Sequence, residues 1–247
     1  MRMGDANHNQ IDVTDRAKLL AWSVHLFTAS GAVWGMLSLL AIFNGQWSLA
    51  FAWMGAAIVV DSLDGFLARK AHVKTVLPEF DGALLDNMVD YLNYVFVPAI
   101  FLFKSNVLPE GVPLLGPAAI LLASAYQFCQ TNAKTEDHFF VGFPSYWNVV
   151  VFYLLLVNIN PWISLAIILA LCVLVFVPVK YIYPTRTVRF QRLTLAVVGV
   201  WGAATLALLI QYPSVNFQLL ALSLACGAYY WGMSLFLMVD ERRRSAA

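Results

Sequence analysis

Long apolar runs broken by short polar turns decide what this chain can become. Crossing the hydrocarbon of a bilayer takes about 20 apolar residues in a helix. Runs of this kind recur from Leu19 to Val239. Hydrocarbon offers backbone N–H and C=O groups no water, so such runs must satisfy those groups as helices. Eight spans are expected, at 19–43, 47–68, 82–103, 113–131, 145–157, 162–179, 193–210 and 215–239, the fifth being the shortest. Thr14 and Asp15 can start the first helix. Asn44-Gly45-Gln46, Pro78, Asn158 to Pro161 and Tyr212-Pro213-Ser214 supply breaks between runs. Residues are 61% hydrophobic and only 12% charged, where a soluble domain carries about 25% charged residues. The fold class is therefore all-α integral membrane with eight transmembrane helices. It divides into a polar segment 1–18, a transmembrane domain 19–239 and a basic tail 240–247.

Charge placement tests that count. With eight spans, 14 of the 15 Lys and Arg fall on one side of the membrane, and Lys104 alone falls on the other. If the fifth run does not cross, the split becomes seven to eight. Basic loops stay cytoplasmic, so eight spans with both termini cytoplasmic are expected. The polar start has no apolar core behind a basic head, and is not expected to be a cleavable signal. A net charge of +1 gives no basic field for nucleic acid. Cys129, Cys172 and Cys226 lie in apolar runs without metal-like spacing and read as core residues. His25 reads as a satisfied core residue. Gly31 and Gly35 form a G-x-x-x-G pair, expected to serve internal helix packing rather than a dimer seam.

Against this apolar background the stretch from Asp61 to Asp90 stands out. Asp61 and Asp64 are at i, i+3, with Gly65 and Ala68 continuing that face; Gly82, Asp86 and Asp90 are at i, i+4, i+8. Two acidic stripes can meet where one helix runs into the next, on the side of the basic loop. Ionisable groups within membrane spans point to function. Close carboxylates repel unless cations or protons neutralise them, and hard divalent cations with oxygen ligands are natural neutralisers. Gly65 and Gly82 let a ligand approach the backbone, and Arg69 can meet a phosphate. Together these suggest a metal-bound pyrophosphate at a membrane surface. The plainer reading, two helix ends with juxtamembrane charges, suits any one aspartate better than the whole set.

The pattern Asp61-x-x-Asp64-Gly65-x-x-Ala68-Arg69 … Gly82-x-x-x-Asp86-x-x-x-Asp90 resembles the signature of the CDP-alcohol phosphotransferase family. Twelve residues separate Arg69 from Gly82, longer than the family's usual gap and similar to the bacterial phosphatidylcholine synthase branch. The runs 64–78, 85–91 and 142–153 resemble that branch too. The resemblance covers most of the chain after about residue 17. It implies the family's helical bundle in a bacterial inner membrane, and a homodimer, which is common among its members. The implied reaction joins CDP-diacylglycerol and choline to give phosphatidylcholine and CMP, with Mn²⁺ or Mg²⁺ in two sites. By the same resemblance Asp61, Asp64 and Asp86 would hold metal, and Asp90 would be general base and metal contact. Asp64, Gly65, Ala68, Arg69 and Gly82 would line the CDP site.

Choline's quaternary ammonium has no N–H to donate, so aromatic faces and a carboxylate are the expected receptor. Tyr91, Tyr94, Tyr146, Trp147 and Asn148 are the candidates on that side of the membrane, with Glu136 and Asp137 nearby; an interfacial aromatic belt is the competing explanation. Arg186, Arg189 and Arg192 suit either a lipid phosphate or simple anchoring. Other acceptors remain open within the family: glycerol phosphate, serine or inositol phosphate. A cation transporter is the alternative of another class, but it would place its acids at the midplane between repeats. A prenyltransferase fits the aspartate spacings less well.

Overall fold

The first two apolar runs fold as a helical hairpin. In a computed structural model, which describes residues 14–130, 139–182 and 189–245, α1 (Asp15–Phe43) starts where the Thr14 side chain accepts from Ala17 N. Gly45 turns the chain at φ 68 into α2 (Trp47–Lys70). Buried Ser38 donates from Oγ to Ala50 O at 3.0 Å and ties the two helices together. The short α3 (Val73–Val76) follows, and Val73 and Leu77 pack on Ala21 and Val24 of α1. Expectations placed on 1–13, Lys134, Glu136, Asp137, Arg186 and 246–247 lie outside the described residues.

The third run is one rod in three parts: α4 (Gly82–Tyr91), a π turn at Leu92–Phe96, and α5 (Val97–Lys104). Asp81 caps it, its Oδ1 accepting from Ala83 N at 3.0 Å and Leu84 N at 2.9 Å. The rod lies against the glycine pair of α1. A Cβ at Gly31 would stand 2.5 Å from Val89 Cγ1, and one at Gly35 would stand 2.8 Å from Asn93 Oδ1. Asn93 Nδ2 donates to Gly31 O and Val89 O, both at 3.0 Å. The pair therefore serves internal packing, as its spacing suggests.

Beyond the rod come α6 (Leu115–Cys129), α7 (Trp147–Val157), α8 (Pro161–Val175), α9 (Gln191–Gln211) and α10 (Phe217–Ser245). The core between them is apolar, with Phe101, Ile120, Trp147, Val151 and Ile168 fully buried. The perimeter is apolar too: Leu26, Leu122 and Ile210 are about three-quarters exposed, at 73%, 75% and 74%. Large apolar side chains facing outward on most helices suit a lipid surround.

Two features differ from the sequence reading. Among the described residues four helices, α1, α2, α9 and α10, are long and apolar enough to cross a membrane, while α6, α7 and α8 are shorter. Eleven-residue α7 is about 16 Å long at 1.5 Å per residue, well below the hydrocarbon thickness. The helix of the sixth run ends early, at Val175, and a short non-helical stretch leads from it into a strand at Lys180. β1 (Phe139–Val141) and β2 (Lys180–Ile182) pair antiparallel, Phe139 opposite Ile182 and Val141 opposite Lys180. Gly142, at φ 78, leaves this pair so tightly that a Cβ there would strike the Val175 carbonyl.

Candidate active site

The two acidic stripes do meet. Asp61 on α2 and Asp86 and Asp90 on α4 each offer a carboxylate oxygen, and these lie within 4.8 Å of one another. Thr28 of α1, Asp64, Asn93 and Tyr94 line the same small cleft. Helical spacing accounts for the convergence: Asp86 and Asp90 are one turn apart on one face, and the hairpin-like return at residues 71–81 sets that face against Asp61 and Asp64. Asp64 is 7% exposed; it lines the cleft without joining the group of three. Tyr94, in the π turn, donates its hydroxyl to Asp61 Oδ2 at 2.6 Å. A π turn inside a helix often marks a functional position, and here it carries both Asn93 and Tyr94.

The other expected CDP-site residues sit around this cleft rather than in its wall. Arg69 is exposed and folds back over Gly65, where a Cβ would stand 3.4 Å from its Nη1. Ala68 packs toward Ala21, Val24 and Val73. Gly82 differs from its expected use. The space a Cβ would fill there is taken by the His25 ring, 2.6 Å away at Cε1, so its missing side chain makes room for α1. His25 is buried as expected, against Trp22 and Phe80, but it is not satisfied: Nε2 has no partner among the described residues.

Asp61 and Tyr94 also belong to a second, larger cavity of about 710 Å³ between α2, α7, α8, α9 and α10. Its wall is mainly aliphatic and aromatic. Of the choline candidates, Tyr94, Tyr146 and Asn148 line it, and Tyr91 and Trp147 do not. Tyr91 points to α6, donating to Leu121 O at 2.9 Å and meeting Phe128 edge-on. Trp147 is 0% exposed, and its indole N–H donates to Ser124 Oγ at 2.7 Å. A fully buried indole with a satisfied N–H is a packing anchor. Trp147→Ala is accordingly expected to cost roughly 3–5 kcal/mol of stability. In a detergent melt the variant should lose thermal stability, and any surviving activity should change equally toward both substrates. A selective rise in the acceptor KM would return Trp147 to the acceptor site.

Sequence reasoning missed Asp81, whose capping role starts the helix bearing Asp86 and Asp90. An Asp before a helical run was the available signal. It also missed Tyr230 and Trp231, which in sequence look like ordinary apolar-run residues, and Tyr181, in the loop after the sixth run, all in the cavity wall. Arg189, one of the basic residues after the sixth run, pairs with Asp240 and lies over Phe190 and Phe236.

A family model described as CDP-alcohol phosphatidyltransferase matches residues 24–233. The chain belongs to that family. It is therefore a phosphotransferase, and a membrane protein with an acidic cluster of the kind such divalent-metal-dependent enzymes carry. Similar proteins named phosphatidylcholine synthase extend the match. That of Pseudomonas aeruginosa is 42% identical over 231 residues, covering 94% of this chain and 97% of its own. That of Legionella pneumophila is 45% identical over 224 residues, covering 88% and 86%. That of Legionella bozemanae is 42% identical over 210 residues, covering 82% and 95%.

Proposed function

We propose that this chain makes phosphatidylcholine and CMP from CDP-diacylglycerol and choline. The observation that carries the choice of acceptor is the cavity beyond Asp61. It offers a carboxylate and several aromatic rings, and among its described lining residues there is no Lys or Arg. Such a wall suits a quaternary ammonium and leaves the phosphate of glycerol phosphate or inositol phosphate unpaired, which is costly away from water. The extensive similarity to proteins named phosphatidylcholine synthase supports the same reading.

The carboxylate-only donor set of Asp61, Asp86 and Asp90 fits a hard divalent cation, Mn²⁺ or Mg²⁺, with Asp64 beside it and room in the reading for two ions. When bound, such ions supply positive charge to the pyrophosphate oxygens. The side chains do the rest. Asp90 accepts the choline hydroxyl proton. The oxygen then bonds to the phosphorus that carries diacylglycerol, and the bond to CMP breaks, its electron pair leaving with CMP. Arg69, Gly65, Ala68 and Gly82 are assigned to the CDP end of the site. Arg69 adds a fixed positive charge, and Tyr94 holds Asp61 in place through its hydroxyl. A site near the basic loops lets the acyl chains stay in the bilayer during transfer.

The same reading includes eight spans, both termini cytoplasmic, in a bacterial inner membrane, with the 1–18, 19–239 and 240–247 division and a homodimeric assembly. Charge asymmetry supports the topology: eight crossings put 14 of 15 basic residues on one side, where loss of the fifth alone splits them seven to eight. The short α7 then crosses with help from the extended chain before it and the turn after it.

The purified protein, given CDP-diacylglycerol and Mn²⁺ with labelled choline, glycerol phosphate, serine or inositol phosphate in parallel, is expected to label lipid with choline alone. Product from glycerol phosphate and none from choline overturns the acceptor. Absence of CMP release with every acceptor overturns the reaction.

A further inference from the structure

Three tyrosines from three separate segments stand in sequence along the polar end of the large cavity. Tyr94 comes from the π turn, Tyr146 from the residue before α7, and Tyr230 from α10. Tyr94 and Tyr146 have ring centroids 6.5 Å apart at 61°, and Tyr146 and Tyr230 have centroids 6.5 Å apart at 63°. Rings turned edge-to-face at each step make a concave wall, where a parallel stack would hide its faces. All three line the cavity, and the row begins at Asp61, which Tyr94 touches.

Tyr230 is held firmly. Its hydroxyl donates to Ile182 O at 3.2 Å, and its ring stacks on Tyr181 with centroids 6.4 Å apart. One turn further along α10, buried Ser234 accepts from Ile182 N at 3.1 Å. Both polar backbone groups of Ile182 are thus spent on α10, and β2 itself is fixed by its pairing with β1. The strand pair therefore clamps α10 and sets the tilt of the Tyr230 ring. With its hydroxyl anchored and one ring face stacked on Tyr181, Tyr230 borders the cavity as a fixed aromatic surface.

Resting on the reading that choline is the acceptor, we propose that Tyr230 is a specificity-determining residue. With Tyr94 and Tyr146 it walls the recess that receives the trimethylammonium group. A ring face attracts a cation within about 6 Å of its centroid, whether or not that cation has an N–H. This recess therefore takes a fully methylated ammonium, and a primary amine there gives up N–H hydrogen bonds to water for which ring faces are poor replacements. Asp61 and Tyr94 also border the acidic cleft that holds Asp90, so the recess adjoins the cleft.

The test separates ring from bulk. Initial rates are measured with CDP-diacylglycerol, Mn²⁺ and labelled choline for wild type, Tyr230→Phe and Tyr230→Leu, with Tyr230→Met as a second ringless variant should Leu not accumulate. The ringless variant is expected to raise the choline KM about tenfold and leave the CDP-diacylglycerol KM within about twofold. Tyr230→Phe should restore most of the choline affinity. An unchanged choline KM in the ringless variant, an equal rise for both substrates, or no rescue by Phe overturns the assignment. Wild-type protein that ignores choline defeats the acceptor reading itself, a result distinct from any of these.

Discussion

Asp90→Asn is expected to lower turnover at least a hundredfold, since removing a positioned proton acceptor costs roughly 10²–10⁴ in rate. The amide has nearly the shape of the carboxylate and accepts no proton at working pH. Asp90 is half-buried on a helix that Asp81 caps and that packs against Gly31 and Gly35, and the substitution leaves those supports in place. Asp90 belongs to the trio of converging carboxylates, so its loss also weakens a bound cation. The two effects separate in a Mn²⁺ titration. A base alone leaves turnover low at every metal concentration, while a ligand alone lets saturating metal restore it. Turnover near wild type at saturating Mn²⁺ removes Asp90 from the base role. Binding of CDP-diacylglycerol under those conditions should persist, because the pyrophosphate contacts assigned to the other residues remain.

How much of this was readable beforehand depended on the distance over which the information is carried. The acidic stripes were readable because i, i+3 and i, i+4 spacing fixes a helix face with no knowledge of the neighbours. The packing of Gly31 and Gly35 was readable for the same reason: small residues one turn apart leave a groove that some helix must fill. Trp147 was misjudged because a tryptophan at the start of an apolar run looks alike whether it faces an interface or the core. Its hydrogen-bond partner, Ser124, is 23 positions away in sequence. Gly82 shows the same limit. The missing side chain was visible, but His25, which uses the space, is 57 positions earlier. The strand pair joins Phe139 to Ile182 with a helical hairpin between them, and each strand has only three residues, too few for an alternating pattern to register. Tyr230 follows from that pairing, since its ring is set by Ile182 and Tyr181.

Removing divalent metal should abolish activity, and the same cluster should betray it physically. At 4.8 Å and an effective dielectric near 20, two unit negative charges repel by about 3 kcal/mol, and Asp61, Asp86 and Asp90 present three such pairs. Tyr94 relieves the two that involve Asp61 with a hydroxyl hydrogen bond to that carboxylate. A divalent cation turns the remaining repulsion into attraction, so binding should also stabilise the folded protein through mass action. EDTA is therefore expected to stop phosphatidyl transfer, and added Mn²⁺ or Mg²⁺ to restore it while raising Tm. Asp61→Asn and Asp86→Asn should each lose the metal-dependent rise in Tm and need at least tenfold more metal for half-maximal rate. Their Tm without metal should equal or exceed that of wild type, because each substitution removes two of the three repulsive pairs. Full activity in EDTA, or a metal-induced Tm shift that survives both substitutions, would place the cation elsewhere.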